Sequence, residues 1–328
     1  MPLITSSYIA PRLMRGGHVQ TILPVLLPRR FQKWQKRERL ELPDGDFLDL
    51  SWLQAGHQRL ALLSHGLEGS AEAIYMRGMA GTLHRAGWDV LGWNYRSCGG
   101  IENRLMRSYH SGESGDLRIV IDHAAQRYEK IALVGFSLGG NISLKCVGEA
   151  TPHPSIVAAV AVSSPVDLAS CARLLDEDPR NRLYLKRFLK TLKGKTLAKA
   201  KRFPILHEML AGRDGVAAVQ TIREFDERIT APVHGFASAD DYWARASSLP
   251  HLHRITVPSL LLSARNDPLL GAPSFPEALA QNSAHLYLEA PPHGGHVGFL
   301  DFQNGLQPWH ERRVRMFLSC SFQRGTVL

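Results

Sequence analysis

The sequence predicts an α/β protein: a mostly parallel central sheet with helices on both faces and a helical cap inserted into it. Three observations lead there. Short apolar runs with β-branched members alternate with stretches of helical periodicity along much of the chain, the order that builds a parallel sheet covered on both sides. One run, Lys130 to Val134, leads directly into Gly135-Phe136-Ser137-Leu138-Gly139-Gly140 and then into a proline-free stretch, Asn141 to Glu149. Strand, Gly-x-Ser-x-Gly and helix form the sharp turn that exposes a serine at the carboxyl edge of a sheet. Finally, about ninety residues separate the strand Ile156 to Val162 from the next clear one, Pro258 to Ala264. A crossover needs only about a dozen or more, so an insertion is housed there.

Taken in order, the chain starts with a basic segment to about residue 36, read as an arm packed on the core. Glu38 to Leu42 and Phe47 to Leu53 alternate apolar and polar residues around Pro43-Asp44-Gly45-Asp46. That turn supplies a preset φ, an Asx side chain and a residue free to take positive φ, which makes a hairpin. Leu60 to Leu63 is the next strand, ending in Ser64-His65-Gly66-Leu67-Glu68-Gly69-Ser70. A helix from about Ile74 to Ala86 closes at Gly87. Trp88 to Trp93 is a strand, and Asp116 to Tyr128 puts Leu117, Val120, Ile121, Ala124 and Tyr128 on one helical face. The expected domains are the arm at 1–36, the core at 37–167 and 247–328, and a helical cap at 168–246 over the serine. After the strand ending at Ala264 come a helix near Pro276 to Gln281, a last strand Ala284 to Glu289, and a closing helix near Pro308 to Leu318.

A hydrophobic fraction of 44% with 21% charged residues over 328 positions excludes a disordered chain and allows a sizeable core. No signal-peptide pattern opens the chain and no apolar run approaches a membrane span, so a soluble protein is expected. Four cysteines, Cys98, Cys146, Cys171 and Cys320, lie far apart with no Cys-x-x-Cys pair, which fits a reducing cytosol and gives no zinc or disulfide framework. The net charge of +9 is concentrated: Lys186 to Arg202 holds eight Lys or Arg and no acid. Leu185, Leu189 and Leu192 recur there at helical spacing beside Phe188, giving a basic amphipathic helix. It reads either as a solvated helix whose apolar stripe packs on the domain, or as a surface for anionic lipid or an acidic substrate. Aromatics are not interleaved with the bases as in single-strand stacking platforms, so nucleic acid is not an expected partner.

A serine hydroxyl is a poor nucleophile near neutral pH and needs a base within hydrogen-bond reach and a third group to orient it. In α/β-hydrolases the three follow in the order Ser, acid, His, on loops after successive strands. Ser137, Asp267 and His296 meet that order, each at the carboxyl end of an expected strand, where distant residues converge. His296 is favoured because glycines at 294, 295 and 298 leave room for its ring beside the serine. His293 is its rival on the same loop, and Asp167 is the rival acid. His293 and His296 could also form a His-x-x-His metal pair, but no carboxylate or thiolate cluster completes it. Neither metal nor cofactor is expected. The backbone N–H groups of Leu138, after the serine, and of Leu67, after His65-Gly66, are the expected oxyanion donors.

The stretches RGGHVQTILP (15 to 24), HGLEGS (65 to 70), YHSGESGDL (109 to 117), GFSLGGN (135 to 141), ADDYW (239 to 243), ARNDP (264 to 268) and GGHVGF (294 to 299) resemble the YheT-like branch of the α/β-hydrolases. That branch is related to eukaryotic α/β-hydrolase-domain lipases. The resemblance covers nearly the whole chain, and the pairing of the amino-terminal segment with the GGHVGF loop is specific to the branch. It implies a serine hydrolase of carboxylic esters with Ser137, Asp267 and His296 in the triad positions. Where the branch commonly reads Arg-Gly-Cys-Ser-Gly, this chain has Arg96-Ser97-Cys98-Gly99-Gly100, a departure on a loop near the site that bears on substrate fit. The expected activity is hydrolysis of short- to medium-chain acyl esters or acylglycerol-like lipids through an acyl-enzyme. The alternatives are acyl transfer by the same residues, or a lipid-surface binding protein that meets an anionic membrane through the basic cap helix.

Overall fold

A computed structural model describes residues 3–210 and 215–323. The expected arm, cap and core ranges also take in 1–2, 211–214 and 324–328, which lie outside the described residues. Nine strands are found among the described residues: β1 (Leu3–Ile4), β2 (Lys36–Glu41), β3 (Phe47–Leu53), β4 (Arg59–Ser64), β5 (Asp89–Asn94), β6 (Lys130–Phe136), β7 (Ile156–Val162), β8 (Ser259–Leu262) and β9 (Leu286–Glu289). They form one sheet in the order β1-β9-β8-β7-β6-β4-β5-β3-β2. β2 and β3 form the expected antiparallel hairpin, and β3 meets β5 antiparallel. All other neighbours run parallel. Strand β1 lies within the expected arm, where two residues are too few to show a period.

Parallel neighbours require crossovers, and the helices between the strands supply them on both faces. Alternation along each strand divides the core in two. Leu60, Leu62, Ile131 and Leu133 face one side with Leu117, Val120 and Ile121 of helix α3 (Ser114–Ala125) and Ile142 and Val147 of helix α4 (Leu138–Glu149). Ala61, Leu63, Ala132 and Val134 face the other with Met76, Met79 and Leu83 of helix α2 (Ile74–Arg85) and Val314 and Leu318 of the last helix, Trp309–Gln323. Each Leu or Val so enclosed stabilises the fold by about 1.5–3 kcal/mol. Helix α1 of the arm (Gly17–Leu26) lies near the sheet's carboxyl edge, where its Gln20 is wholly buried.

Between β7 and β8 the chain leaves the sheet as α5 (Leu168–Glu177), α6 (Arg182–Ala200), α7 (Pro204–Leu210), α8 (Ile222–Phe225), a π-helical turn (Asp226–Thr230), α9 (Ala231–His234) and α10 (Ala239–Ala246). These share an apolar core that includes Leu168, Leu175, Leu189, Phe225 and Trp243. The apolar stripe of α6 is used there: Leu189 is buried, and Leu185, Phe188 and Leu192 pack beside it. Of its bases, Lys186, Arg187 and Lys190 face outward, whereas Lys195 is half-buried and Lys199 is buried. The basic stretch is therefore divided between surface and interior, which its charge pattern did not indicate. No helix among the described residues is long and apolar enough to cross a membrane.

Candidate active site

Ser137 occupies the turn between β6 and α4 with φ 52° and ψ −123°. A non-glycine residue held there costs about 1–3 kcal/mol, so its surroundings must fix it. The Ser137 N–H donates to the Val162 carbonyl and the Gly140 N–H to the Ser137 carbonyl, both at 2.9 Å. The flanking glycines permit the close passage of strand and helix. A Cβ on Gly135 would lie 2.1 Å from the Gly139 carbonyl oxygen, and one on Gly139 would lie 2.3 Å from that of Ser64.

Asp267 and His296 come together from the loops after β8 and β9. His296 Nδ1 lies 2.8 Å and 3.0 Å from the two carboxylate oxygens of Asp267. A carboxylate can only accept, so Nδ1 carries the proton and Nε2 is left as a base. The Leu269 N–H donates to the same carboxylate at 2.9 Å, and the Asp267 side chain is fully enclosed. The rivals have other positions. Asp167 caps α5 by accepting the Ser170 N–H at 2.8 Å. His293 holds a buried Nδ1 with no hydrogen-bond partner among the described residues and does not line the cavity that His296 shares with Ser137.

The arm helix holds the histidine loop. The His296 N–H donates to Thr21 Oγ1 at 2.9 Å, the Gly295 N–H to Asn266 Oδ1 at 3.1 Å, and the Val297 N–H to Ser163 Oγ at 2.9 Å. Asn266 in turn donates to the Arg15 carbonyl, and buried Gln20 exchanges hydrogen bonds with the Leu300 backbone. This corrects the reading of the loop glycines as room for the imidazole. A Cβ on Gly295 would lie 2.4 Å from the Gly17 carbonyl oxygen and one on Gly298 would lie 2.0 Å from that of Gln20. They admit the arm rather than the ring. Thr21, Gln20 and Ser163 are not singled out by the sequence; the pairing of residues 15–24 with 294–299 is a signal that could find the first two, and nothing marks Ser163.

Leu67 and Leu138 line one cavity of about 110 Å³ with Ser137 and His296, walled by Leu168, Leu175, Phe188 and Trp243 of the cap. Leu138 is the first residue of α4, so its N–H has no acceptor within the helix. The Leu67 loop approaches the serine closely, since a Cβ on Gly66 would lie 3.2 Å from Ser137 Cβ. The Gly66 N–H donates to Tyr75 Oη and the Glu68 N–H to Tyr109 Oη, both at 2.9 Å. Glu68 has φ 55°, and its carboxylate accepts from Tyr109 Oη at 2.7 Å and from Lys195 Nζ of α6 at 3.0 Å. His65 is structural. Its Nδ1–H donates to the Gly66 carbonyl, its Nε2 accepts the Tyr95 N–H, and burial pushes its pKa down to about 3, which keeps it neutral.

A second cavity, of about 120 Å³, adjoins the first and has Leu67, Ser111, Ile222 and Asp226 in common with it. His110 and His234 line it, and with Glu113 they form a group whose ligand atoms lie within 4.8 Å of one another. The contacts favour a hydrogen-bonded cluster over a metal centre. The Gly112 N–H donates to His110 Nδ1 at 3.1 Å, which puts the ring proton on Nε2, 3.4 Å from Glu113 Oε2. Arg107 approaches that same oxygen at 3.4 Å, so a proton and a guanidinium occupy the space of a cation. Burial pushes His110 down to about 3 and His234 to about 4, leaving both rings neutral. The altered loop Arg96–Gly100 reaches this cavity through Ser97, while Arg96 is buried in ion pairs with Asp46 and Asp116.

The sequence pattern of the α/β hydrolase fold family matches residues 62–303 of this chain. The chain is 34% identical over 325 residues, 96% of its length and 94% of the other, to “Putative esterase YheT” of Escherichia coli (strain K12). It is 25% identical over 342 residues to “Phospholipase ABHD3” of Homo sapiens, covering 100% of this chain and 82% of that protein. Among solved structures, the esterase Pf2001 of Pyrococcus furiosus superposes with a TM-score of 0.57 at 18% identity, over 89% of this chain and 98% of that one. That likeness concerns the fold.

Proposed function

The chain belongs to the YheT-like branch of the α/β-hydrolase fold family, and from that premise we propose that it is a serine hydrolase of carboxylic esters working through an acyl-enzyme. The observation that carries this reading is the His296 Nδ1 to Asp267 contact at 2.8 Å, with His296 and Ser137 lining the same apolar cavity. His296 Nε2 takes the proton of Ser137 Oγ as that oxygen attacks the ester carbonyl. The carbonyl oxygen becomes an anion and is met by the Leu67 and Leu138 N–H groups, each worth about 3 kcal/mol of transition-state stabilisation. His296 then gives its proton to the departing alkoxide, and the alcohol leaves. Water, deprotonated by the same nitrogen, attacks the acyl-Ser137 ester, and collapse releases the carboxylic acid and restores the serine. Asp267 keeps the proton on Nδ1 throughout, and its enclosed carboxylate offsets the imidazolium charge. The apolar wall of Leu168, Leu175 and Phe188 supports a short- to medium-chain acyl group.

Ser137→Ala is expected to melt within a few degrees of the wild type and to lose about 10⁴- to 10⁶-fold in turnover of a p-nitrophenyl ester. Fluorophosphonate labelling of the wild type but not the variant is the accompanying result. Equal ester hydrolysis by the two proteins would overturn the proposal. Release of free acid, with no ester formed to an added alcohol, separates hydrolysis from acyl transfer.

A further inference from the structure

We infer that Lys195, a base of the cap, is a positioning residue for the oxyanion hole: its ion pair with Glu68 holds the neighbouring Leu67 N–H where the substrate oxygen gains charge. This rests on the serine-hydrolase reading above.

The turn at 66–68 needs outside support. Glu68 has φ 55°, and a non-glycine residue stays in that sparsely populated region only when its surroundings fix it. Tyr109 supplies one restraint, since its Oη accepts the Glu68 N–H at 2.9 Å and donates to Glu68 Oε1 at 2.7 Å. Lys195 Nζ supplies another, donating to the same oxygen at 3.0 Å from helix α6. The Glu68 side chain is 5% exposed, and its Oε2 is buried with no hydrogen-bond partner among the described residues. Of the two donors, only the ammonium carries charge. Removing it strands a buried carboxylate, which is relieved by turning toward water. Leu67 is one peptide away, so its N–H swings with the Glu68 backbone.

The reach of the cap explains why this base is the one that matters. Lys195, Lys199 and Arg202 recur at helical spacing along α6 and the turn after it, and all three cross to the core. Lys199 Nζ donates to the Leu105 carbonyl at 2.5 Å, and Arg202 donates to Glu102 at 2.8 Å and to the Asn103 and Arg104 carbonyls. Those two grip the loop after β5. Lys195 reaches the turn beside Ser137. One ion pair thus joins the cap to the oxyanion donor, and a cap that lifts takes the ammonium away from Glu68.

The test uses the purified full chain, p-nitrophenyl butyrate and an alkyl trifluoromethyl ketone. Ser137 Oγ adds to the ketone carbon, its proton passes to His296, and the carbonyl oxygen becomes the anion that the hole must hold. Lys195→Met keeps the length of the side chain without its charge. Its kcat should fall about 10- to 100-fold and its affinity for the ketone by a similar factor, with KM within about twofold of the wild type's. Lys195→Arg should recover most of that loss. Arg202→Ala breaks an exposed cap contact that does not involve Glu68, and it should leave kcat within about twofold. Adding Glu68→Gln to Lys195→Met should cost no further turnover, because the two residues act as one unit. Should Lys195→Met fail to fold, Glu68→Gln alone is read in the same way, with a loss of about 3- to 10-fold in kcat and ketone affinity together. Unchanged kcat, a loss confined to KM with ketone affinity intact, an equal loss in Arg202→Ala, or additive losses in the double variant would each overturn the inference. Fluorophosphonate labelling of Ser137 and ester turnover by the wild type in those cases leave the serine-hydrolase reading standing. A wild type that neither labels nor turns over an ester removes both.

Discussion

Two glycine-rich turns carry the serine and the histidine, and they are held by partners at very different distances along the chain. At the elbow, Gly135 and Gly139 make room for each other, and the Cβ that either lacks would strike backbone of the same turn or of the adjoining β4 end. At the histidine loop, Gly295 and Gly298 make room for helix α1, and the hydrogen bond from His296 N–H to Thr21 joins residues 275 positions apart. The serine's geometry is therefore a property of the sheet's centre, formed as the sheet forms. The histidine's geometry depends on an arm that docks from outside. Substitutions at the elbow should damage folding, and substitutions at the loop should damage catalysis with the sheet intact.

The largest effect should follow Gly135→Ala. Its Cβ would sit 2.1 Å from the Gly139 oxygen, backbone that cannot move without parting β6 from α4 at the middle of the sheet. Overpacking at such a site costs about 3 kcal/mol or more, and little soluble protein is expected. Expression yield and circular dichroism decide it, and a well-folded variant would end the claim of local fixation. Gly298→Ala is the matching change at the loop. Its Cβ would sit 2.0 Å from the Gln20 oxygen, so α1 is pushed away from His296. A displacement near 1 Å costs about 100-fold in turnover, with far-ultraviolet circular dichroism unchanged. Equal loss of fold in both variants would erase the contrast.

A smaller test removes one hydroxyl, which accepts from the His296 N–H and donates to the Gly17 carbonyl at 2.7 Å. Thr21→Val keeps the shape of α1 but deprives the His296 N–H of its acceptor, at 2.9 Å in the native protein. An unpaired buried N–H costs about 1–3 kcal/mol, which the loop can relieve by shifting the ring. A kcat lower by about 10-fold, with KM little changed, is expected. Unchanged kcat would mean that Gly298 and Asn266 hold the loop without Thr21.

The same contrast explains what could be read from the chain. The sheet was legible because its central strands are short apolar runs, because the hairpin strands alternate with a period of two, and because Ser137, Asp267 and His296 each follow a strand. The elbow was legible because its residue types are confined to one hexapeptide and the strand before it, although the Val162 and Ser64 carbonyls of neighbouring strands also hold it. The rest depends on contacts between distant segments. Nothing local marks Gly298 as a seat for Gln20, so its glycine was assigned to the imidazole. Lys195 and Lys199 look like their outward-facing neighbours until α6 is docked, when one turns to Glu68 and the other to three carbonyls. Residues 3–4 enter the sheet beside β9, across almost the whole sequence. Such pairings carry no period.

The cap offers the finest version of the comparison, because its interior is tied together by side chains such as Asp226, whose partners Thr230 and Trp243 belong to the cap as well. Burial pushes the Asp226 carboxyl up to about 7, with the Asp176 charge adding to the effect and the Thr230 and Trp243 hydrogen bonds opposing it. In the unfolded chain this group titrates near an ordinary aspartate value of about 3.9. The folded protein thus keeps a proton that the unfolded chain has lost between about pH 4 and pH 7. The stability this group contributes is complete below about pH 4 and is lost as pH rises to about 7. Asp226→Asn carries no such proton, so its melting temperature should gain a few degrees on the wild type's between pH 5 and pH 7.5. Glu113, pushed up to about 7 chiefly by burial, is present in both proteins and cancels from the difference. Parallel melting curves across that range would mean that Asp226 is ionised in the folded cap.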